Sequence, residues 1–281
     1  MIARSTSPGT LADIFLVFLR LGLTSFGGPV AHLGYFRTEF VDRRGWLDER
    51  GYADLVALCQ FLPGPASSQV GMAIGLARGG WLGSLVAWVG FTLPSALLLV
   101  AFALGLSRWP EASGSGWLHG LKVAAVAVVA QAVWAMGRSL CPDRARAGVA
   151  FGAAILMWLL PLPFMQLGAI ALGAVIGATL LPRPVAGPVE PVPWGASRRS
   201  GAVALGVFLL GLALLPVAAT AFDSPLLGTI DAFYRAGSLV FGGGHVVLPM
   251  LQAEVVATGA VDQATFLAGY GAAQAVPGPL F

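Results

Sequence analysis

Two stretches at opposite ends of this chain repeat one another, and that repeat limits the fold more than any other feature. Phe18–Val41 align with Phe233–Val256, and after a one-residue deletion Gly45–Pro65 align with Gly259–Pro279; 15 of the 45 aligned pairs are identical. The identities include Arg20/Arg235, Phe26-Gly27-Gly28/Phe241-Gly242-Gly243, Glu39/Glu254, Gln60/Gln274 and Pro63-Gly64-Pro65/Pro277-Gly278-Pro279. Shared apolar composition would produce matching leucines and alanines, not these residues. Internal duplication is read before local pattern. Paired Gly/Pro-interrupted segments in two halves point to the midplane site of a transporter. Phe281 aligns with Ser67, so residues 68 to about 180 have no second-copy counterpart. The expectation is a C-terminally shortened chain, or a short variant completed by a partner chain.

The solvent around this repeat is lipid. Hydrophobic residues make up 57% of the chain and charged residues 10%, with mean hydropathy +0.81; a soluble domain carries about 25% charged residues. Spanning helices need roughly 20 apolar residues. Trp81–Leu106, Trp117–Met136, Phe164–Leu181 and Gly201–Phe222 meet or approach that length, and Gly148–Leu160 is a shorter candidate. Tyr52–Leu62 and Ala66–Ala77 are each about half a bilayer long at 1.5 Å per residue. With Pro63-Gly64-Pro65 between them they predict a re-entrant hairpin, its tip at mid-membrane. Such backbone survives only where protein or a water-filled cavity satisfies it. The fold class is therefore an all-α membrane protein, an inverted-repeat polytopic helical bundle with broken, re-entrant helices. Its parts are a first repeat over 1–181, a Pro/Arg-rich cytoplasmic linker over 182–200, and the start of an incomplete second inverted repeat over 201–281.

Arginine placement sets the orientation. Four arginines fall within Arg37–Arg50 and none in the equivalent Ala253–Asp262, so these loops face opposite sides of the membrane. Arg138, Arg144 and Arg146, and Arg183, Arg198 and Arg199 in the linker, mark further cytoplasmic loops; residues 107–116 read as external. The pI near 9.2 reports this orientation rather than nucleic-acid binding. The polar N-terminus runs into a helix without an A-x-A site, so no cleaved signal peptide is expected. Cys59 and Cys141 sit in unlike contexts, which predicts neither a disulfide nor a metal site.

The candidate site residues gather at the helix breaks. Thr24-Ser25-Phe26-Gly27-Gly28-Pro29 and Val240-Phe241-Gly242-Gly243-Gly244-His245 let the backbone leave one helix and open another. The new start presents free N–H groups and a positive dipole end to an anion. A kink or a small-residue packing surface is the structural alternative. Gln60, Pro63, Gly64 and Pro65, with Gln274, Pro277, Gly278 and Pro279, form the second element. Ser67, Ser68 and Gln69 follow it with donors for oxyanion oxygens; a purely mechanical helix breaker is the alternative. Arg20 and Arg235 are arginines in apolar surroundings, functional by default and suited to an oxyanion. Lys122 either joins them or snorkels to the interface. Glu39 and Glu254 read as structural ion pairs, with a coupling proton as the alternative. His32 and His245 flank the glycine turns and read as neutral polar contacts. No H-E-x-x-H, G-x-S-x-G, Walker loop or C-x-x-C occurs, so neither an enzyme nor a cofactor is expected.

The run TSFGGPVAHLGYFRTEFVDRRGWLDERGYADLVALCQFLPGPASSQVGMAIG, with FGGGHVVLPMLQAEVV and AQAVPGPLF, closely resembles the chromate ion transporters. The resemblance implies a multi-pass protein of the inner membrane that exports chromate, with sulfate as a similar oxyanion that competes. It implies a lipid bilayer and an inorganic oxyanion as partners, no nucleic acid, and is compatible with a homodimer. A permease or channel for another inorganic anion and a non-transporting membrane scaffold stay open as alternatives.

Overall fold

Helix caps written into the sequence decide where several elements start. The computed structural model describes residues 10–108, 141–160, 165–181, 196–240 and 244–279, with isolated helical positions between 116 and 138. All regular structure among the described residues is helical, in accord with an all-α membrane protein. The chain forms two units, Met1–Val126 with Val192–Phe281, and Ala127–Pro191.

In the first unit α1 (Leu11–Thr24) opens on Thr10, whose hydroxyl accepts from the Asp13 N–H at 3.2 Å. Gly27, at φ 98°, turns the chain into α2 (Gly28–Arg37), with Pro29 in its first turn. α2 runs on into a π-helical turn, Thr38–Arg43. Asp48 caps α3 (Glu49–Phe61) by accepting from the Gly51 N–H at 2.9 Å. After Pro63-Gly64-Pro65 comes α4 (Ala66–Arg108), which is two helices, 66–78 and 81–108, parted by Gly79 and by Gly80 at φ 61°. The half-length helices expected on either side of the Pro-Gly-Pro are therefore present. The two parts of α4 fold back on each other: a Cβ on Gly75 would stand 2.5 Å from the Gly83 carbonyl oxygen.

In the second unit, α5 (Arg144–Leu159) and α6 (Met165–Leu180) cover the span candidates Gly148–Leu160 and Phe164–Leu181 and pack against each other. Returning to the first unit, α7 (Arg198–Ala221) is capped by Ser197. It leads to α8 (Pro225–Leu239), α9 (Gly244–Leu251), a π-helical turn over Gln252–Val256, and α10 (Gln263–Ala275). The repeat in sequence is thus a repeat in structure. α8, α9, the π turn and α10 follow the order of α1, α2, the π turn and α3, and Asp262 caps α10 as Asp48 caps α3. α4, with residues 81–105 apolar, and α7 are long and apolar enough to cross a membrane. The span expected over 117–136 falls mostly outside the described residues, as does most of the linker.

The core lies in the first copy. Phe18, Phe36, Phe40 and Phe91 are fully buried or nearly so, with ring centroids 5.0–5.9 Å apart. Ile14, Leu55, Val70 and Ile74 complete the layer, so α4 closes the surface made by α1, α2 and α3. α1 crosses α4 at backbone distance, since a Cβ on Gly22 would meet the Phe91 carbonyl oxygen at 2.5 Å; small residues permit such approaches. Trp46 stacks on Phe40, and the guanidinium groups of Arg44 (5.1 Å) and Arg78 (4.8 Å) lie near its ring. In the second copy Phe233, Leu248, Leu251, Val255 and Phe266 occupy the aligned positions, but they line an open groove of about 490 Å³.

Candidate substrate site at the crossed helix breaks

α1 and α8 both stop because their next residue is extended: Ser25 (φ −90°, ψ 103°) and its aligned partner Val240 (φ −73°, ψ 136°). The carbonyl of each finds its donor in the other copy. The Gly64 N–H donates to the Val240 carbonyl at 2.7 Å, and the Gly278 N–H donates to the Ser25 carbonyl at 2.9 Å. Gly64 (φ 116°) and Gly278 (φ 93°) take backbone conformations that favour glycine. Each Pro-Gly-Pro therefore ends the broken helix of the opposite copy, and the exchange is reciprocal, as across a local two-fold axis.

Polar groups without partners surround the first break. Ser25 is fully buried and its hydroxyl has no hydrogen-bond partner. His32, 1% exposed on α2, has neither ring nitrogen bonded, and its ring meets Phe91 edge-on at 5.3 Å. The Thr92 hydroxyl is buried and unpartnered, while Ser95 Oγ donates to the Thr92 carbonyl at 2.9 Å. Pro277, Gly278 and Pro279 are buried against this group: a Cβ on Gly278 would lie 3.1 Å from the Gly22 carbonyl oxygen and 3.2 Å from Ser95 Oγ. Most buried polar atoms are hydrogen-bonded, so a cluster of exceptions calls for an explanation.

The second break has its own set. Gln69 Nε2 donates to the Pro63 carbonyl at 2.7 Å, leaving Gln69 Oε1 buried with no partner. Ser67 and Ser68 are buried in the first turn of α4, where amide groups lack intrahelical acceptors. Gln274 Nε2, on α10, is likewise buried and unpartnered. Two helix starts, α2 and α4, thus bring first-turn amides and positive dipole ends to the two breaks.

The other sequence candidates distribute unevenly. Arg20 lies on the exposed face of α1 and forms no ion pair among the described residues. Its backbone carbonyl accepts from Thr24 Oγ1 at 2.8 Å. Arg235 is held by two carboxylates, Asp231 at 2.9 Å and Glu254 at 3.2 Å. Glu39 pairs with Arg43 at 2.6 Å and Arg44 at 2.7 Å. Phe26 is half exposed, Pro29 and Pro65 are partly buried, and Gln60 faces outward from α3. Lys122, Gly242 and Gly243 lie outside the described residues; Gly244 and His245 open α9, and the His245 side chain is outside them too.

Sequence reasoning passes over Thr92, Ser95 and Asp231, and includes Ser25 in the first motif without singling it out as a site residue. Ser25 aligns with Val240, so a search for shared residues discards it. Asp231 leaves a usable signal, standing one turn before Arg235 in an apolar helix, the spacing of an i,i+4 pair.

The profile of the chromate transporter family matches residues 12–178 and 227–281, which takes in both breaks and both Pro-Gly-Pro loops. The chain belongs to the chromate transporter family. Over 96% of its length it is 28% identical to a probable chromate transport protein of Synechococcus elongatus, covering 67% of that protein. It is 28% identical over 97% of its length to the chromate transport protein of Pseudomonas aeruginosa, covering 65%. Against the chromate transport protein of Cupriavidus metallidurans the identity is 27% over 96%, again covering 65%. The chain spans about two thirds of the length of these curated relatives. No solved structure matches it.

Proposed function

We propose that this chain forms part of a secondary transporter that exports chromate across the inner membrane by alternating access, with sulfate as a competing oxyanion. The crossed pair of hydrogen bonds carries the reading. It brings the end of each broken helix, Ser25 and Val240, to the Pro-Gly-Pro of the other copy, where helix starts and unpartnered polar groups meet. A tetrahedral dianion is suited to such a place, since it offers acceptors in every direction and is stabilised by helix N-termini. Its seat is made by the first-turn amides of α2 and α4, with the hydroxyls of Ser25, Thr92, Ser67 and Ser68, the His32 ring, and the amide hydrogen of Gln69 that Pro63 does not take. Arg20, without a carboxylate partner among the described residues, supplies long-range charge balance, whereas Arg235 is already engaged.

The two copies are halves of an inverted repeat joined through the 182–200 linker, and the arginine asymmetry between Arg37–Arg50 and Ala253–Asp262 supports opposite insertion. Rocking one half against the other exposes the site to each side in turn, as in other inverted-repeat transporters.

Radiolabelled chromate in membrane vesicles tests the proposal. Everted vesicles carrying the chain should accumulate chromate saturably, sulfate should inhibit, and preloaded unlabelled chromate should accelerate entry of label by counterflow. Uptake without counterflow would mean a channel. Uptake equal to that of vesicles lacking the chain would remove the transport reading.

A further inference from the structure

The seat proposed above is drawn entirely from the first copy. Where that copy buries an unpartnered hydroxyl and an unpartnered imidazole, Ser25 and His32, the second copy buries Val240 and Val247 at the aligned positions. Two valines offer an anion no donor. The halves of the repeat therefore share a backbone device and differ in the chemistry set around it.

Gln60 and Gln274 differ in the opposite sense. Each stands four residues before the glycine of its Pro-Gly-Pro. Gln60 faces outward from α3, and the residue one turn before it, Val56, has no polar group to hold it. The residue one turn before Gln274 is Tyr270, which is buried and hydrogen-bonds the Gln274 side chain across the i,i+4 spacing of α10. Gln274 Nε2 is enclosed and has no partner, so the Tyr270 hydroxyl donates to Oε1. The amide is thus anchored by its acceptor end and keeps both N–H donors free. Gln69 differs, since its Nε2 already donates to the Pro63 carbonyl. Four residues beyond Gln274, the Gly278 N–H donates to the Ser25 carbonyl. α10 also packs on α4, the helix that carries Thr92 and Ser95.

We infer that the chain holds a single oxyanion and that Gln274, positioned by Tyr270, is the side chain the second copy gives to it. This rests on the transporter reading above. Buried polar atoms are almost all hydrogen-bonded, and an enclosed amide with no acceptor is costly to leave unmet. An oxyanion oxygen is an acceptor of the kind Nε2 lacks, and the bond it makes is charge-assisted. Val240 and Val247 leave the mirror-image position without a matching seat. The anion is then held by both copies, on many donors from the first and one amide from the second.

Equilibrium binding of radiolabelled chromate to the purified chain in lipid nanodiscs tests this. The parent should saturate at one chromate per chain. Gln274→Met keeps the length of the side chain and removes its donors, and should weaken binding about tenfold or more, the loss of a hydrogen bond to a charged group. Gln263→Ala, exposed on the same helix, should leave binding unchanged. Tyr270→Phe removes one oxygen and keeps the ring; it should weaken binding in the parent and change nothing in the Gln274→Met background. Tryptophan fluorescence on the same samples should match the parent throughout. Two chromates per chain, an affinity indifferent to Gln274→Met, or additive effects of the two substitutions would overturn the inference alone. A parent that binds no chromate saturably would overturn the transporter reading with it, so the two failures are told apart.

Discussion

Replacing Gly278 by alanine tests the crossed junction most directly. The backbone there has φ 93°, and an L side chain in the positive-φ region costs about 1–2 kcal/mol. The added methyl would also lie 3.1 Å from the Gly22 carbonyl oxygen and 3.2 Å from the Phe91 carbonyl oxygen and Ser95 Oγ. Two of those atoms are backbone of helices that already touch, so they yield little, and overpacking of this kind costs about 1–3 kcal/mol. Any shift that relieves it lengthens the Gly278–Ser25 hydrogen bond, itself worth about 1 kcal/mol. Gly259 is the control: its φ is 76°, yet a Cβ added there would meet nothing within 4 Å. Reversible unfolding in mixed micelles, followed by tryptophan fluorescence, should show Gly278→Ala less stable than Gly259→Ala by about 1–3 kcal/mol. Agreement of the two variants within about 0.5 kcal/mol would refute the tight junction.

Glu39→Gln removes a carboxylate that is 9% exposed and bound by two guanidinium groups, and should cost about 1–3 kcal/mol in the same assay. The exposed Arg37–Glu49 pair is weaker. Its hydrogen bond holds the Glu49 carboxyl below the usual range, so its contribution is present above the ordinary Glu pKa and is lost as pH falls through the lowered value. Glu49→Gln should thus differ from the parent at neutral pH and match it in acid. Gly75→Val drives a side chain into the Gly83 carbonyl oxygen, 2.5 Å away from the Cβ alone, and should abolish the folded monodisperse peak in gel filtration, while Gly105→Val, in open space, should not. Cysteines placed at Arg43 and Gly259 should label from opposite sides of the membrane; labelling from one side would end the inverted-repeat proposal.

The elements were legible because their signals are local. Asp48 and Asp262 announce α3 and α10, and Pro65 announces the start of α4 three residues after the chain leaves α3. Arg78-Gly79-Gly80 part the half-length Ala66–Ala77 from the span Trp81–Leu106 in the sequence, but only the close approach of Gly75 to Gly83 reveals that the two fold back on each other. The aligned motifs pointed to the breaks, yet alignment rewards what both copies share. The crossing of Gly64 to Val240 and Gly278 to Ser25 joins unlike residues across the chain and has no one-dimensional signature. Arg20 and Arg235 match in sequence and differ in surroundings, because Leu16 in one copy is Asp231 in the other.

The reciprocal bonds also set an order of events at the ribosome. When residues 49–78 enter the bilayer, the Gly64 amide has no acceptor until Val240 is made, and the Ser25 carbonyl waits still longer for Gly278. At about 5–20 residues per second the first wait lasts on the order of ten seconds or more. In the proposed mid-membrane placement, the nascent hairpin holds unmet backbone groups through that interval at a depth where lipid satisfies none. It must rest against water, the insertion machinery or a chaperone-like neighbour. The timing of synthesis, and not only the finished contacts, is thereby part of how this protein reaches its shape.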